Sequence, residues 1–362
     1  MKYRGRSDFK HGERGKLGVL ILNLGTPDAP TTPALRKYLG QFLADPRVVE
    51  VPRLLWRVIL HGIILRIRPR RSAAAYRTVW TQEGSPLLVH TQNQAKLLQE
   101  ALKEEYGDDI VVEFAMRYGN PSVDSAIEKL MNAGVRKLLA LPLYPQYSGS
   151  TSASTFDAIA QDFMKRRWLP DFRFVSHYHD HPQYIEAIAN TVRKHREEHG
   201  SADKLIFSYH GVPKKYLLKG DPYHCECYKT TRLVAEHLGL DESEYMTTFQ
   251  SRFGREEWLQ PYTDVTMKAL PKQGVKNIQV ICPGFSSDCL ETVEEIDEEN
   301  REYFMDSGGE SFSYIPCLNS QPSHIQLLKS LVEENIQGWQ AQSDESAQQS
   351  KQNATKVMDT VS

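Results

Sequence analysis

Apolar runs of four to eight residues alternate along the chain with segments of helical period. Leu17–Leu24, Val111–Met116, Lys137–Leu141, Lys204–Ser208 and Ile278–Ile281 are short and rich in aliphatic or β-branched residues, the pattern of strands buried on both faces. Gln92–Glu104, Ser122–Asn132 and Tyr184–Glu197 instead repeat apolar positions every three to four residues. Ser323–Trp339 does the same, placing Ile325, Leu328, Val332, Ile336 and Trp339 on one face. Strand and helix in alternation predict an α/β protein with parallel sheets. Beyond Trp339 the large apolar residues give way to Gln, Ser, Asp and Asn, so residues 341–362 are expected to form a disordered tail.

The motifs that follow the strands occur twice. Asn23-Leu24-Gly25-Thr26-Pro27 is answered by Tyr209-His210-Gly211-Val212-Pro213, and Arg117-Tyr118-Gly119 by Arg252-Phe253-Gly254. Gly134-Val135 leads through a strand to Pro142-Leu143-Tyr144, as Gly274-Val275 leads to Pro283-Gly284-Phe285. Three pairs in one order predict two similar Rossmann-like domains related by internal duplication. The first is expected over residues 16–165, completed by the helix at 323–339, and the second over 172–320. Gly25 and Gly119 stand 94 residues apart but Gly211 and Gly254 only 43, so about 51 residues are extra in the first half. They are expected to form a lip at about 46–90. In open parallel sheets ligands bind outside the carboxyl ends of the strands, which places a site in the cleft between the halves. No G-x-G-x-x-G opens a helix and no Walker loop is present, which argues against a dinucleotide or ATP.

Charge narrows the choice of partner. Lys plus Arg is 44 and Asp plus Glu 46, a net charge of −2, which does not suit a nucleic-acid binder. Five Cys, an odd and sparse number, fit a reducing cytoplasm better than a disulfide scaffold. The Leu17–Leu24 run is broken at once by Gly25-Thr26-Pro27, unlike a secretory signal, and no apolar stretch is long enough to span a bilayer. A cytoplasmic monomer is expected. Arg53–Arg71 departs from the average, with six Arg and no acid among Leu54, Leu55, Trp56, Val58, Ile59, Leu60, Ile63, Ile64 and Leu65. Such a basic amphipathic segment suits peripheral contact with an anionic inner membrane, the alternative being a partly buried helix with solvated arginines.

Two groups of residues could carry chemistry. His210 ends a strand beside Gly211 and Pro213, a rigid turn that aims the imidazole at the cleft. Asp288, Glu291, Glu295 and Glu299 fall within an arc of about 80° on a helix, with Cys289, Leu290, Val293 and Ile296 opposite. Such a stripe is commonly a solvated face. Here it begins at a strand's carboxyl end, and Arg301 is the one cation before the pattern fades. Carboxylates in file repel one another, so a cation is expected among them, and oxygen ligands suit a hard or borderline divalent metal.

Ser208–Tyr223, with His-Gly-x-Pro and Gly-Asp-x-Tyr, resembles the signature region of the ferrochelatases. So do Leu141-Pro142-Leu143-Tyr144-Pro145-Gln146-Tyr147-Ser148, Thr248-Phe249-Gln250-Ser251-Arg252 and the run from Gly284 to Thr292. The likeness extends over about residues 16–339 and is strongest to the Gram-negative enzymes. It implies insertion of ferrous iron into protoporphyrin, the last step of haem biosynthesis, in a cleft between two Rossmann-like domains. Two pyrrole protons must leave as the metal enters, which calls for a base and a carboxylate at the macrocycle. The resemblance assigns His210 and Glu291 as the catalytic pair, and Glu295 and Glu299 as a ladder that joins them in handling metal or protons. It makes Asp288 a support for His210 and implies a π-helix in this stretch. Leu24, Arg117, Tyr118, Trp258 and Phe285 are implied to line the porphyrin pocket, and Ser85 to meet a propionate.

Other groups carry weaker signals. His177, His179 and His181 alternate and would share one face of a strand, yet Pro182 follows at once, and a strand-end cluster is the better expectation. Cys225-Glu226-Cys227 lacks a second Cys pair at zinc spacing. Some ferrochelatases hold a [2Fe–2S] cluster through a Cys-rich C-terminal extension; here the last Cys is Cys317 and Gly149 stands at the upstream ligand position, so no cluster and no cofactor beyond substrate iron is expected. Two alternatives remain: a haem or porphyrin carrier on the same scaffold, and a cobalt chelatase acting on a corrin precursor.

Overall fold

A computed structural model describes residues 3–5, 12–254, 256–339 and 344–358. Among the described residues, eight strands form two parallel sheets of four. The first holds β1 (Lys16–Thr26), β2 (Ile110–Gly119), β3 (Val135–Pro142) and β4 (Asp171–Phe174) in the order β2-β1-β3-β4. The second holds β5 (Lys204–His210), β6 (Tyr245–Gln250), β7 (Asn277–Ile281) and β8 (Ser311–Ile315) in the order β6-β5-β7-β8. The same order twice is the duplication expected from the paired motifs. Sheet edges account for the strands the apolar pattern passes over: β4, β6 and β8 lie at edges, where one neighbour suffices and polar residues are tolerated.

Glycine explains why the strand ends resemble each other. Gly25 has φ +109°, and a Cβ there would stand 1.7 Å from the Tyr118 carbonyl oxygen on the paired strand. At Gly211 a Cβ would meet the Gln250 carbonyl oxygen at 2.7 Å. In both halves a side chain would push the central strand's exit off its neighbour.

The second motif pair needs correcting. The Met116 N–H donates to the Pro121 carbonyl at 2.7 Å, and the Phe249 N–H to the Pro261 carbonyl at 2.8 Å. Arg117 is therefore equivalent to Gln250, not to Arg252. The second half carries a longer loop between these two points, which moves the look-alike Arg-Phe-Gly out of register.

Most of the extra residues of the first half are helical, over Thr32–Phe42, Arg53–Ile59, Leu60–Ile64 (a π turn) and Leu65–Val79. Trp56, Leu60, Leu65, Ala73 and Tyr76 pack with Leu35, Leu39 and Tyr118 into a core of their own. The largest core joins both halves, from Val19 and Leu139 to Phe207 and Ile281, through Leu327, Leu328 and Val332 of the helix Pro322–Asn335. That helix packs on β3 and on the helices Pro86–Tyr106 and Pro182–His199. The expected tail is corrected in part. Asp344–Met358 is helical, in keeping with its Ala, Gln, Lys and Met, while 341–343 and 359–362 lie outside the described residues. Among the described residues no helix is long and apolar enough to cross a membrane.

Candidate active site

A cavity of about 380 Å³ opens where the carboxyl ends of both sheets face each other. Most of the wall comes from strand ends and the loops that follow them: Leu24 and Gly25 from β1, Leu143 and Tyr144 after β3, His210 to Pro213 from the end of β5, Ser251 and Phe253 after β6, and Gly284 to Ser287 after β7. The inserted lip supplies the remaining wall through Val48, Val49, Val51, Trp56, Arg68 and Tyr76. This lining is mainly aliphatic and aromatic, with few polar groups converging on it, as suits an apolar ligand.

His210 is the last residue of β5, paired with Gln250 of β6. Its Nδ1 lies 2.6 Å from the Gly211 carbonyl oxygen. A carbonyl can only accept, so Nδ1 carries the proton and donates it. In the neutral ring the lone pair is then on Nε2. The turn that holds the ring thus also selects the tautomer that can take a proton.

Glu291 lines the same cavity and opens an acidic file. Val293–Asn300 is an eight-residue π-helix, as the resemblance implies, and its wider turn brings residues four apart more nearly into line. Glu291 and Glu295 are partly buried and Glu299 is exposed, so the file runs from cavity to solvent. Glu295 accepts from the Ser251 N–H at 2.7 Å, from the Ser251 hydroxyl, and from Gln250 Nε2 at 3.5 Å. Desolvation, aided by the charge of Glu291, nonetheless pushes its carboxyl up from 4.5 to about 7. Desolvation and then the charges of Glu299, Glu298 and Glu291 also raise Glu294. Glu299 accepts from the Tyr303 hydroxyl at 2.5 Å. Arg301, the cation nearest in sequence, is taken up by Asp297. Carboxylates are thus kept together across a gradient of burial, with one of them ready to hold or release a proton near neutrality.

The family model described as Ferrochelatase matches residues 16–336. The chain belongs to the ferrochelatase family. The ferrochelatase of Marinobacter nauticus is 70% identical over 339 residues, covering 94% of this chain and 92% of that protein. That of Idiomarina loihiensis is 65% identical over 357 residues, covering 99% and 98%. Among solved structures, the sirohydrochlorin chelatase SirB from Bacillus subtilis, in complex with cobalt, aligns with a TM-score of 0.50 at 10% identity, over 90% of this chain and 98% of that one. At that identity the likeness is one of fold.

Of the pocket residues that the ferrochelatase resemblance implies, Leu24, Ser85, Trp258 and Phe285 line the cavity. Ser85 also caps the helix Pro86–Tyr106 by accepting from the Leu88 N–H at 3.4 Å, which leaves its hydroxyl proton for a ligand. Arg117 and Tyr118 are not among the lining residues. Buried Asp45 draws both away: it pairs with the Arg117 guanidinium and accepts from the Tyr118 hydroxyl at 2.8 Å and the Ser154 hydroxyl at 2.7 Å. Arg117 also donates to the Ser154 carbonyl at 2.9 Å, and both residues brace the lip from behind. Asp288 is engaged elsewhere as well. Its carboxylate accepts from the Tyr314 hydroxyl at 2.6 Å, Asn319 Nδ2 at 2.6 Å and the Cys317 N–H at 3.2 Å. Among the described residues it has no hydrogen bond to His210, and it pins the start of the acidic helix to the loop after β8.

Three residues of the site are given no individual role in the sequence reading. Gln250 and Ser251 tie the end of β6 to the file, for besides holding Glu295 the Gln250 amide donates to the Glu291 carbonyl at 2.7 Å. Ser251 has φ +63°, a left-handed conformation that costs a non-glycine residue energy. Arg68 lines the cavity over the Phe253 ring at 4.7 Å, and burial lowers its guanidinium pKa against the opposing pull of Glu291.

Proposed function

We propose that this chain inserts Fe(II) into protoporphyrin IX to form haem b, the last step of haem biosynthesis. The observation that carries this reading is a proton-accepting imidazole and an acidic file meeting at one apolar cavity. Insertion exchanges one metal ion for two pyrrole protons, so the reaction needs acceptors at the ring and a way out for charge. Nε2 of His210, with Nδ1 committed to Gly211, is the acceptor of one proton. Glu291 supplies negative charge where the metal enters, and Glu295 and Glu299 relay metal or protons between the cavity and solvent. The apolar walls hold the macrocycle, and Ser85 meets a propionate. The test mixes the purified protein with Fe(II) or Zn(II) and either protoporphyrin or coproporphyrin, followed by porphyrin absorption. Faster metallation of protoporphyrin is expected. Faster metallation of coproporphyrin overturns the substrate assignment, and binding of porphyrin without metallation overturns the enzyme in favour of a carrier.

The lip is the part that meets a membrane, at the cytoplasmic face of the inner bilayer. Leu54, Leu55, Val58, Ile63 and Ile67 are exposed, Leu54 by 81%, beside the exposed Arg66, Arg70 and Arg71. Apolar tips among arginines suit insertion into an anionic headgroup layer, next to a cavity for an apolar substrate. Liposome flotation should recover the protein with anionic vesicles, and recovery should fall in Arg66, Arg70 and Arg71→Glu. Equal recovery with neutral and anionic vesicles, unchanged by the substitutions, removes the membrane from this account.

A further inference from the structure

We propose that His177, His179 and Glu226 form a binding site for a borderline divalent cation, with zinc as the expected ion, apart from the cleft. His177 and His179 follow β4, where the chain crosses toward the helix Pro182–His199. Glu226 lies in the first turn of the helix Tyr223–Leu238. One atom from each of the three lies within 4.8 Å of the others. His177 Nδ1 is 2.6 Å from Glu226 Oε1, and His179 Nδ1 is 3.4 Å from Oε2. His181, the third of the alternating histidines, does not join them. It stands at the N-cap of the next helix, and its Nε2 contacts Glu334 Oε1 at 3.1 Å.

The burial of this cluster points to a ligand. His179 is 6% exposed, and its Nδ1 is buried without a hydrogen-bond partner among the described residues. That orphaned nitrogen faces a carboxylate which is itself 6% exposed. An unmet acceptor or donor at this depth is costly, and a cation between the two would satisfy both.

An outer contact orients the carboxylate as metal sites require. The Tyr147 N–H donates to Glu226 Oε2 at 2.7 Å and fixes it. The neighbouring Asp180 is taken up by Lys229 at 2.5 Å. Two imidazoles and one carboxylate form a donor set for zinc or a similar borderline ion, with a position left for water. Bonds of about 2.0–2.1 Å in a tetrahedral site put ligand atoms about 3.3 Å apart. The His179–Glu226 spacing already matches. His177 must swing outward and release the proton it shares with Glu226, and its side chain is 48% exposed and free to do so. The ion would clasp the loop after β3, the crossing segment and a helix whose first residue, Tyr223, lines the cavity.

The test uses full-length protein carrying His210→Ala, Glu291→Gln, Glu295→Gln and Glu299→Gln, so that the cleft's own metal-handling groups are removed. Dialysis against zinc should leave one retained equivalent, and cobalt in its place should give the visible absorption of a four-coordinate ion. Adding His177→Ala, which alters an exposed ring, should abolish the equivalent while leaving the metal-free melting temperature unchanged. Glu226→Gln, which keeps the Tyr147 contact, should abolish it as well. No retained zinc in the parent, or full retention in His177→Ala, overturns the site. Porphyrin takes no part in the measurement, so its outcome is independent of the proposed insertion activity.

Discussion

His210→Ala is expected to fold, to bind porphyrin within about tenfold of wild type, and to insert Fe(II) or Zn(II) at least about a hundredfold more slowly. The imidazole's recorded hydrogen bond is to the Gly211 carbonyl, next to it in the chain, and the tight turn is set by Gly211 against Gln250. Removing the ring therefore leaves the strand exit intact. A tenfold change in binding is about 1.4 kcal/mol, ample for one wall group among many apolar ones. A general base contributes about 10²–10⁴-fold to rate, so the loss belongs in insertion. Stopped-flow metallation and porphyrin fluorescence quenching measure the two quantities separately. Near-normal insertion would leave Glu291 as the base, and lost binding with an intact fold would make His210 a carrier's ligand.

What was legible in the sequence and what was not divides along physical lines. The duplication could be read because both halves need glycine where the central strand leaves the sheet, and Gly25 and Gly211 meet that need against Tyr118 and Gln250. Its register could not be read from Arg252-Phe253-Gly254, since chemical likeness in a loop says nothing about which backbone groups pair. The acidic file was visible as a stripe without a partner cation, and Arg301 does go to Asp297 instead. Side-chain direction was the harder part. Arg117 and Tyr118 sit at the end of the right strand, yet the decisive residue is Asp45, 72 positions from Arg117 and without any signal of its own. Arg68 was hidden for the opposite reason: in a run of six arginines nothing marks the one that turns inward. The His177–Glu226 contact crosses 49 residues and joins two weak motifs that have no significance apart.

In the acidic file, burial and repulsion combine into a prediction about both metal and protons. Glu295→Gln with Glu299→Gln is expected to raise the apparent KM for Fe(II) by about tenfold, the worth of one charge-assisted contact of roughly 1.4 kcal/mol, with the KM for porphyrin little changed. An unaltered Fe(II) dependence would return the file to a solvated helix face. Glu295 alone carries a second signature. Its carboxyl titrates at about 7 in the folded chain against an ordinary 4.5, so between those values the folded chain holds a proton that the unfolded chain has released. The stability it contributes is therefore complete below about pH 4.5 and is lost as pH rises through about 7. A glutamine cannot ionise and escapes that loss. Between about pH 5 and pH 8, Glu295→Gln should gain about 2 kcal/mol in unfolding free energy relative to wild type, less than the full shift because solvent reaches part of the side chain. Denaturant unfolding at the two pH values measures the difference. Parallel pH dependence in the two proteins would mean that Glu295 is already ionised well below neutrality, and the file would then lose its proton-holding member.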